Sequence, residues 1–193
     1  MTTKTISPGK QKIAEAAQKH FRKNGYAATS MRDLAEDVGV EASSLYNHIG
    51  GKEEILEHIC FGMAKQFFAA LEESVNEKHG VDKQLESALR AHIGIIVRNS
   101  DASAVFFHDW RHLSKMNVRK FTTMREEYEE RFRRMVSRGM REEIFIKGDI
   151  RVMVRTIFSA VNGIYDWYNP KGSVSPAALA DQLTGMILSG IKK

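Results

Sequence analysis

Proline is nearly absent from this chain, and its scarcity limits the possible folds more than any other feature of the sequence. The three prolines are Pro8, Pro170 and Pro176, so the 161 residues from Gly9 to Asn169 contain none. Because proline removes a backbone donor and breaks helices, such a stretch permits long helices. Apolar residues recur with helical spacing, and no strand alternation, internal repeat or low-complexity segment is convincing. The sequence therefore predicts an all-α protein.

The helical pattern divides into a head of short helices and a body of longer ones. In the head, the pattern predicts helices over 10–24, from Ser30 to Val38 and from about Glu41 to Ile49. In the body, it predicts helices over about 52–77, 82–98, 102–114, 118–139, 149–168 and 175–191. We expect one domain at 7–52 and a second at 53–193.

Composition excludes several classes of protein. Cys60 is the single cysteine, which excludes an internal disulfide framework and a cysteine-rich zinc site and suits a reducing compartment. No run of 18 apolar residues is present, so we expect no transmembrane helix and no membrane partner. The first residues, MTTKTISPGKQK, lack the apolar core of a secretion signal. We expect a cytoplasmic protein.

The net charge of +5 is concentrated in the head. Residues 1–52 hold 8 Lys and Arg against 5 Asp and Glu, whereas residues 53–193 hold 21 against 19. A basic head favours nucleic acid or an anionic membrane as partner, but an excess of three charges is mild. Charge alone does not decide the function.

The head has the pattern of a helix-turn-helix, with the motif proper at 30–49. Ser30 and Asp33 form a variant of the capping box that begins the second helix, and Gly39 stands where a left-handed residue ends it. In the third helix, Ala42, Leu45 and Ile49 share one face and are expected to be buried. The opposite face carries hydrogen-bonding side chains that suit base edges in a major groove, namely Ser43, Ser44, Asn47 and His48.

Residues around this helix are suited to contact phosphates. They supply hydroxyl groups, a helix amino terminus and an ammonium, and they are Thr29, Ser30, Tyr46 and Lys52. A structural role is open for two of them, since Tyr46 can belong to the core and Lys52 can favour the start of a helix.

The segment SMRDLAEDVGVEASSLYNHIGGKEEIL, with the upstream pattern K-x-x-I-x-x-A-A-x-x-x-F, resembles the DNA-binding segment of the tetracycline-repressor (TetR) family of bacterial regulators. The resemblance covers about residues 10–57. It implies a ligand-responsive regulator, expected to be a repressor, that binds a palindromic operator in double-stranded DNA as a homodimer. It also implies that the body binds a small-molecule effector and dimerises through the helices near 149–168 and 175–191.

Four positions depart from the family pattern. Glu41 stands where the family more often has Ser or Thr, and Ser43 replaces a frequent Gly. Ile49 replaces a frequent Phe, and Gly51 replaces a common Ser. Glu41 supplies no hydroxyl cap, and its negative charge is poorly placed beside phosphate.

The body carries most of the aromatic residues, each of which suits either plain core packing or an apolar effector pocket. Five are candidate pocket residues: Phe67, Phe107, Trp110, Tyr128 and Tyr165. The apolar stripes of the last two helices suit an internal core or a two-fold interface equally. The turn W-Y-N-P-K-G at 167–172 resembles a segment of regulators of fatty-acid and steroid catabolism that respond to acyl-coenzyme A thioesters. That likeness makes an acyl-CoA a candidate effector.

Two other functions fit parts of the sequence. His108 and His112 form an i, i+4 pair with Asp109 between them, which suits a helical metal-binding enzyme. A DNA-binding architectural protein without an effector is the other alternative. No nucleophile motif, phosphate loop or cofactor signature is legible, so the sequence predicts no enzyme, no metal and no cofactor.

Overall fold

The computed structural model describes residues 8–193, and for Pro8 it describes the backbone alone. Residue 7, where the predicted DNA-binding domain begins, lies outside this range. The described residues form ten α-helices and a 3₁₀ helix at Asp109–His112. The α-helices are α1 (Pro8–Asn24), α2 (Met31–Val38), α3 (Ala42–Tyr46), α4 (Lys52–Ser74), α5 (Val81–Arg98), α6 (Ser100–His108), α7 (Lys115–Arg141), α8 (Ile150–Asn162), α9 (Ile164–Trp167) and α10 (Pro176–Ile191).

The all-α prediction is confirmed for the described residues. In this range the structure contains no strand beyond a single isolated bridge between Phe145 and Lys192. No helix within 8–193 combines the length and the apolar character that crossing a bilayer requires.

The helices form two compact units. The first unit contains the described residues up to Met63 together with Asp101–Phe121. The second unit contains Ala64–Ser100 and Thr122–Lys193.

The first unit is assembled from short helices with strong end signals. The Ser30 hydroxyl accepts a hydrogen bond from Asp33 N at 3.2 Å, and the Asp33 carboxylate accepts one from Ser30 N at 2.8 Å. This predicted capping box satisfies two backbone donors of α2. Gly39 ends α2 with φ of 74°, a left-handed conformation that costs glycine little. α1 packs on α2 and α2 packs on α3, burying Phe21, Leu34 and Leu45.

The second unit is organised around α5, which contacts α8, α9 and α10. Asp149 caps α8 by accepting from Arg151 N and Val152 N at 2.8 and 3.0 Å. Ser175 caps α10 by accepting from Ala178 N at 3.2 Å, with Pro176 in the first turn, where its missing N–H costs nothing. These caps set where the last two long helices begin.

Four predicted helices are shorter or more broken than the pattern suggested, among them α4, which ends at Ser74 and not near 77. α3 ends at Tyr46 and not near Ile49, because Asn47 N and His48 N bond to carbonyls three residues back and tighten the chain into a turn. The helix predicted over 102–114 is α6, which ends at His108, followed by a 3₁₀ helix. The helix predicted over 149–168 is interrupted at Gly163, where α8 ends and α9 begins.

Candidate nucleic-acid interface

α3 is held to the first unit by two apolar anchors. Leu45 is 0% exposed and Ile49 is buried as well, while Ala42 is half-buried. A five-residue helix is unstable in isolation, so this burial is what keeps α3 in place. The prediction that the 42, 45, 49 face packs inward is confirmed for its two larger members.

The predicted base-reading residues lie on the opposite side. Ser43, Asn47 and His48 are exposed, and Ser44 is half-buried. No side chain caps the amino end of α3, since Glu41 forms no such bond. The His48 ring lies beside α1, where a Cβ added to Gly9 would be 3.8 Å from its Cε1 atom. The structure thus presents one exposed polar strip on α3 and the turn after it.

Two of the predicted phosphate contacts are also open to solvent. Tyr46 is 55% exposed, so its ring is not part of the core. The Ser30 side chain is exposed at the amino end of α2, where it caps the helix and keeps its own hydroxyl proton available. Both residues flank the polar strip on α3.

The other two predicted phosphate contacts have structural partners. Thr29 is 1% exposed, and its hydroxyl donates to Gly25 O at 3.0 Å, so this side chain faces the interior. The Lys52 ammonium donates to Tyr26 O and Thr29 O, each at 2.7 Å, and lies 4.4 Å from the centroid of the Tyr26 ring. Lys52 therefore joins the start of α4 to the connection between α1 and α2, a role that its position in the sequence does not reveal.

The histidine pair considered as a metal site does not form in the predicted way. Because His108 ends α6 and residues 109–112 are 3₁₀, positions 108 and 112 are not on one α-helical face. The His112 ring instead stacks on Tyr26, with 5.0 Å between centroids. Burial raises the pKa of Asp109. Among the residues that the structure describes, no group of three His, Cys, Asp or Glu side chains converges as a metal site.

The five predicted pocket residues are divided between the two units. Phe67, Tyr128 and Tyr165 are buried in the second unit, where the rings of Phe67 and Tyr128 are 5.8 Å apart. Phe107 and Trp110 belong to the first unit, where Phe107 packs on Phe106 at 5.0 Å and Trp110 on Phe121 at 5.7 Å.

The second unit contains a buried polar cluster that the sequence pattern does not predict. His92 of α5 has Nδ1 3.1 Å from the Tyr128 hydroxyl and Nε2 2.9 Å from Asn162 Oδ1. Its ring stacks on Phe67 at 4.7 Å and meets Phe158 edge-on at 5.3 Å. Burial lowers the pKa of His92 to about 4, so the imidazole is neutral at pH 7. The only sequence signal was a histidine at a helical position flanked by apolar residues.

Two protein-family models match the chain. The family model "Bacterial regulatory proteins, tetR family" matches residues 13–59, and the model "Tetracyclin repressor-like, C-terminal domain" matches residues 78–191. The chain belongs to the TetR family. As a TetR-family protein it is a DNA-binding transcriptional regulator and not an enzyme. The first match contains α2 and α3, and the second contains His92, Tyr128 and Asn162.

Relatives match over nearly the whole chain. The HTH-type transcriptional repressor KstR2 of Rhodococcus jostii is 26% identical over 185 residues, covering 93% of this chain and 89% of the relative. The structure of the ketosteroid transcriptional regulator KstR2 of Mycobacterium tuberculosis matches with a TM-score of 0.92 and 21% identity, covering 100% of both chains. AibR in complex with isovaleryl coenzyme A and operator DNA matches with a TM-score of 0.82 and 22% identity, covering 92% of this chain and 97% of AibR. These two structural matches show a shared fold.

Proposed function

We propose that this TetR-family protein is a cytoplasmic repressor that binds a palindromic operator as a homodimer and is released by a small apolar or acyl-CoA-type effector. In this proposal residues 7–52 bind DNA, and residues 53–193 bind the effector and dimerise. The name of the KstR2 relatives supports repression, and the AibR complex supports an acyl-CoA effector together with operator DNA.

The DNA-binding half of the proposal depends on α3. Ser43 on α3, with Asn47 and His48 in the turn after it, would read base edges in the major groove, and Ser44 would lie at the margin. Ser30 and Tyr46 would contact the backbone on either side, since both are exposed and carry hydroxyl groups. Thr29 enters only by holding the loop before α2, because its hydroxyl is bonded to Gly25 O. Lys52 would orient that loop and approach phosphate from it.

A homodimer through α8 and α10 is the second element of the proposal. Met186 on α10 is 72% exposed and Val152 on α8 is 62% exposed, and burying both apolar side chains against a second copy would be favourable. The neighbouring Gly185 and Gly190 would let a second copy approach closely. A two-fold axis would place two α3 helices about 34 Å apart, one helical turn of DNA or a multiple of it.

The aromatic cluster around His92 supports an effector site for a mainly apolar ligand. It combines the rings of Phe67, Phe158 and Tyr128 with a few polar atoms, a composition typical of small-molecule sites. At the W-Y-N-P-K-G turn, Trp167 is 58% exposed and the Tyr168 hydroxyl donates to Val174 O at 2.8 Å. An acyl-CoA would place its acyl chain among the aromatic rings.

Release from DNA requires that the effector bind two states unequally. Asn162, the last residue of α8, bonds to His92, and the helix breaks at Gly163 directly afterwards. An effector that rearranges this cluster would move the end of α8. Since α8 belongs to the proposed dimer interface, the spacing of the two α3 helices would change with it.

The observation that carries the proposal is the exposed polar strip on α3, held by the buried Leu45 and Ile49. The test is a gel-shift titration of the DNA upstream of the coding region with the parent protein and Asn47→Ala. The variant is expected to lose about 1–3 kcal/mol of discrimination at particular base pairs. Gln66→Ala, which changes an exposed amide on α4 outside the strip, is the control. Unchanged sequence preference in Asn47→Ala would contradict the docking.

The dimer is tested separately by Met186→Lys, which places a charge on the exposed apolar face of α10. We expect a halved mass in light scattering and loss of operator binding. Lys65→Met, which changes one exposed residue on α4, is the control for altered surface charge. A Met186→Lys protein with parental mass would contradict the proposed interface.

A further inference from the structure

The second unit contains a groove lined mainly by arginines, apart from the aromatic cluster. It has a volume of about 330 Å³ and lies between the second half of α7 and the start of α8. Its lining consists of Glu130, Arg133, Arg134, Ser137, Arg141, Ile150 and Arg151. Four guanidinium groups thus face one carboxylate, so the groove carries an excess of positive charge.

The single carboxylate is already paired. Glu130 lies 2.7 Å from Arg133 Nε and 3.4 Å from Arg134 Nε, and these bonds lower the pKa of Glu130. It therefore remains ionised and shared between two arginines. Within residues 8–193, Arg141 and Arg151 form no ion pair. Two positive charges in the groove are left for an anion.

A groove whose walls carry an excess of one sign of charge attracts ions of the opposite charge. A guanidinium group offers planar paired donors that match the oxygens of a phosphate. The half-buried Ser137 adds a hydroxyl, and Ile150 adds an apolar wall. A volume near 330 Å³ holds about ten waters at liquid density, which is more than one phosphate group requires.

The lining also argues against single-stranded nucleic acid as the occupant. No aromatic side chain lines the groove, so it offers no platform on which bases could stack. Recognition must come from the phosphates themselves. We infer that this groove is a binding site for a small organic diphosphate or triphosphate, held by Arg141 and Arg151 with Arg133 and Arg134 completing the cradle.

The test is isothermal titration of the full-length protein at low salt with inorganic pyrophosphate, ADP and inorganic phosphate. We expect pyrophosphate and ADP to bind more tightly than phosphate. Replacing both free arginines, in Arg141→Gln/Arg151→Gln, should weaken pyrophosphate binding by about 10- to 100-fold, the loss of one or two charge-assisted bonds. If ADP binds more tightly than pyrophosphate, the groove also recognises the nucleoside. If the two bind equally, the groove recognises the diphosphate alone. Both outcomes support the site.

The matched control is Arg119→Gln/Lys120→Gln, which removes two exposed charges from the same helix outside the groove. Absence of pyrophosphate and ADP binding, or an equal loss in the control, overturns the inference. So does a changed oligomeric mass or weakened operator binding in Arg141→Gln/Arg151→Gln without phosphate binding, since the groove would then be an interface. The titration uses neither operator DNA nor acyl-CoA. A negative result would therefore count against the groove as a phosphate site and would leave the proposed repressor function untouched.

Discussion

Lys52→Ala tests the contact between the start of α4 and the connection between α1 and α2. The substitution removes an ammonium that donates to Tyr26 O and Thr29 O at 2.7 Å and to Ala27 O at 3.4 Å. It also removes the cation above the Tyr26 ring. These carbonyls belong to the connection between α1 and α2, so the expected result is a looser loop in front of α2.

The magnitude follows from two short bonds to a charged donor. Such bonds contribute about 1.5–3 kcal/mol each when buried. Lys52 is half-buried, so water replaces part of each bond, and we expect a total loss of about 1–2 kcal/mol. For a chain of this length, each kcal/mol lost from the free energy of unfolding lowers the melting temperature by about 2–4 °C, so we expect the melting temperature of Lys52→Ala to fall by about 2–8 °C.

Two assays separate the roles of Lys52. Thermal unfolding is compared with Lys65→Ala, which removes the same charge from an exposed position on α4. Operator affinity is then measured across a series of salt concentrations, where one lost phosphate contact lowers the slope of log K against log salt by about 0.9. A melting temperature equal to that of Lys65→Ala would refute the reasoning from the carbonyl contacts, and an unchanged slope would remove Lys52 from the phosphate contacts.

Three further predictions concern the packing and the buried groups. Gly139→Ala would place a Cβ against the ring of Phe145, which is fully buried, so we expect the free energy of unfolding in urea to fall by about 1–3 kcal/mol. Gly62→Ala, with open space around the added Cβ, should instead be neutral or stabilising. The pKa of His92 is about 4 in the folded protein and near 6.5 in the unfolded chain, so between these pH values only the unfolded chain binds the proton. The free energy of unfolding should therefore fall by about 1.4 kcal/mol for each pH unit from pH 6.5 toward 4. His92→Leu should lose this dependence in urea unfolding, and a parallel decline in both proteins would contradict the assignment. Burial raises the pKa of the Cys60 thiol to about 12, so iodoacetamide should leave it unmodified in the folded protein and alkylate it in urea, as mass spectrometry would show.

Local signals made most of the first unit predictable. The Ser30 capping box and the left-handed Gly39 fix the ends of α2 through bonds between residues close in sequence, and both were legible. The anchors Leu45 and Ile49 followed from helical spacing in the same way. The residue at which α3 ends could not be predicted, because a turn closed by hydrogen bonds to carbonyls three residues back has the same apolar spacing as a short helix.

Contacts between side chains and partners that are distant in sequence could not be predicted from the sequence. Lys52 meets the carbonyls of Tyr26 and Thr29 over more than 20 residues, and no periodicity predicts that contact. The same holds for His92, whose bonds to Tyr128 and Asn162 cross 36 and 70 positions. Helical spacing marks aromatic residues as candidates for burial, but it does not show which of the two units each of them belongs to, as for Phe107 and Trp110.

The central claim is that the exposed strip of α3 reads a specific palindrome in a dimer. The most direct measurement is selection of bound duplexes from a random pool by the parent protein, followed by sequencing. The account predicts an enriched palindrome with half-sites about one helical turn apart, or a multiple of it, that also occurs beside the coding region. A pool that stays unenriched, or bound sequences without two-fold symmetry, would contradict it.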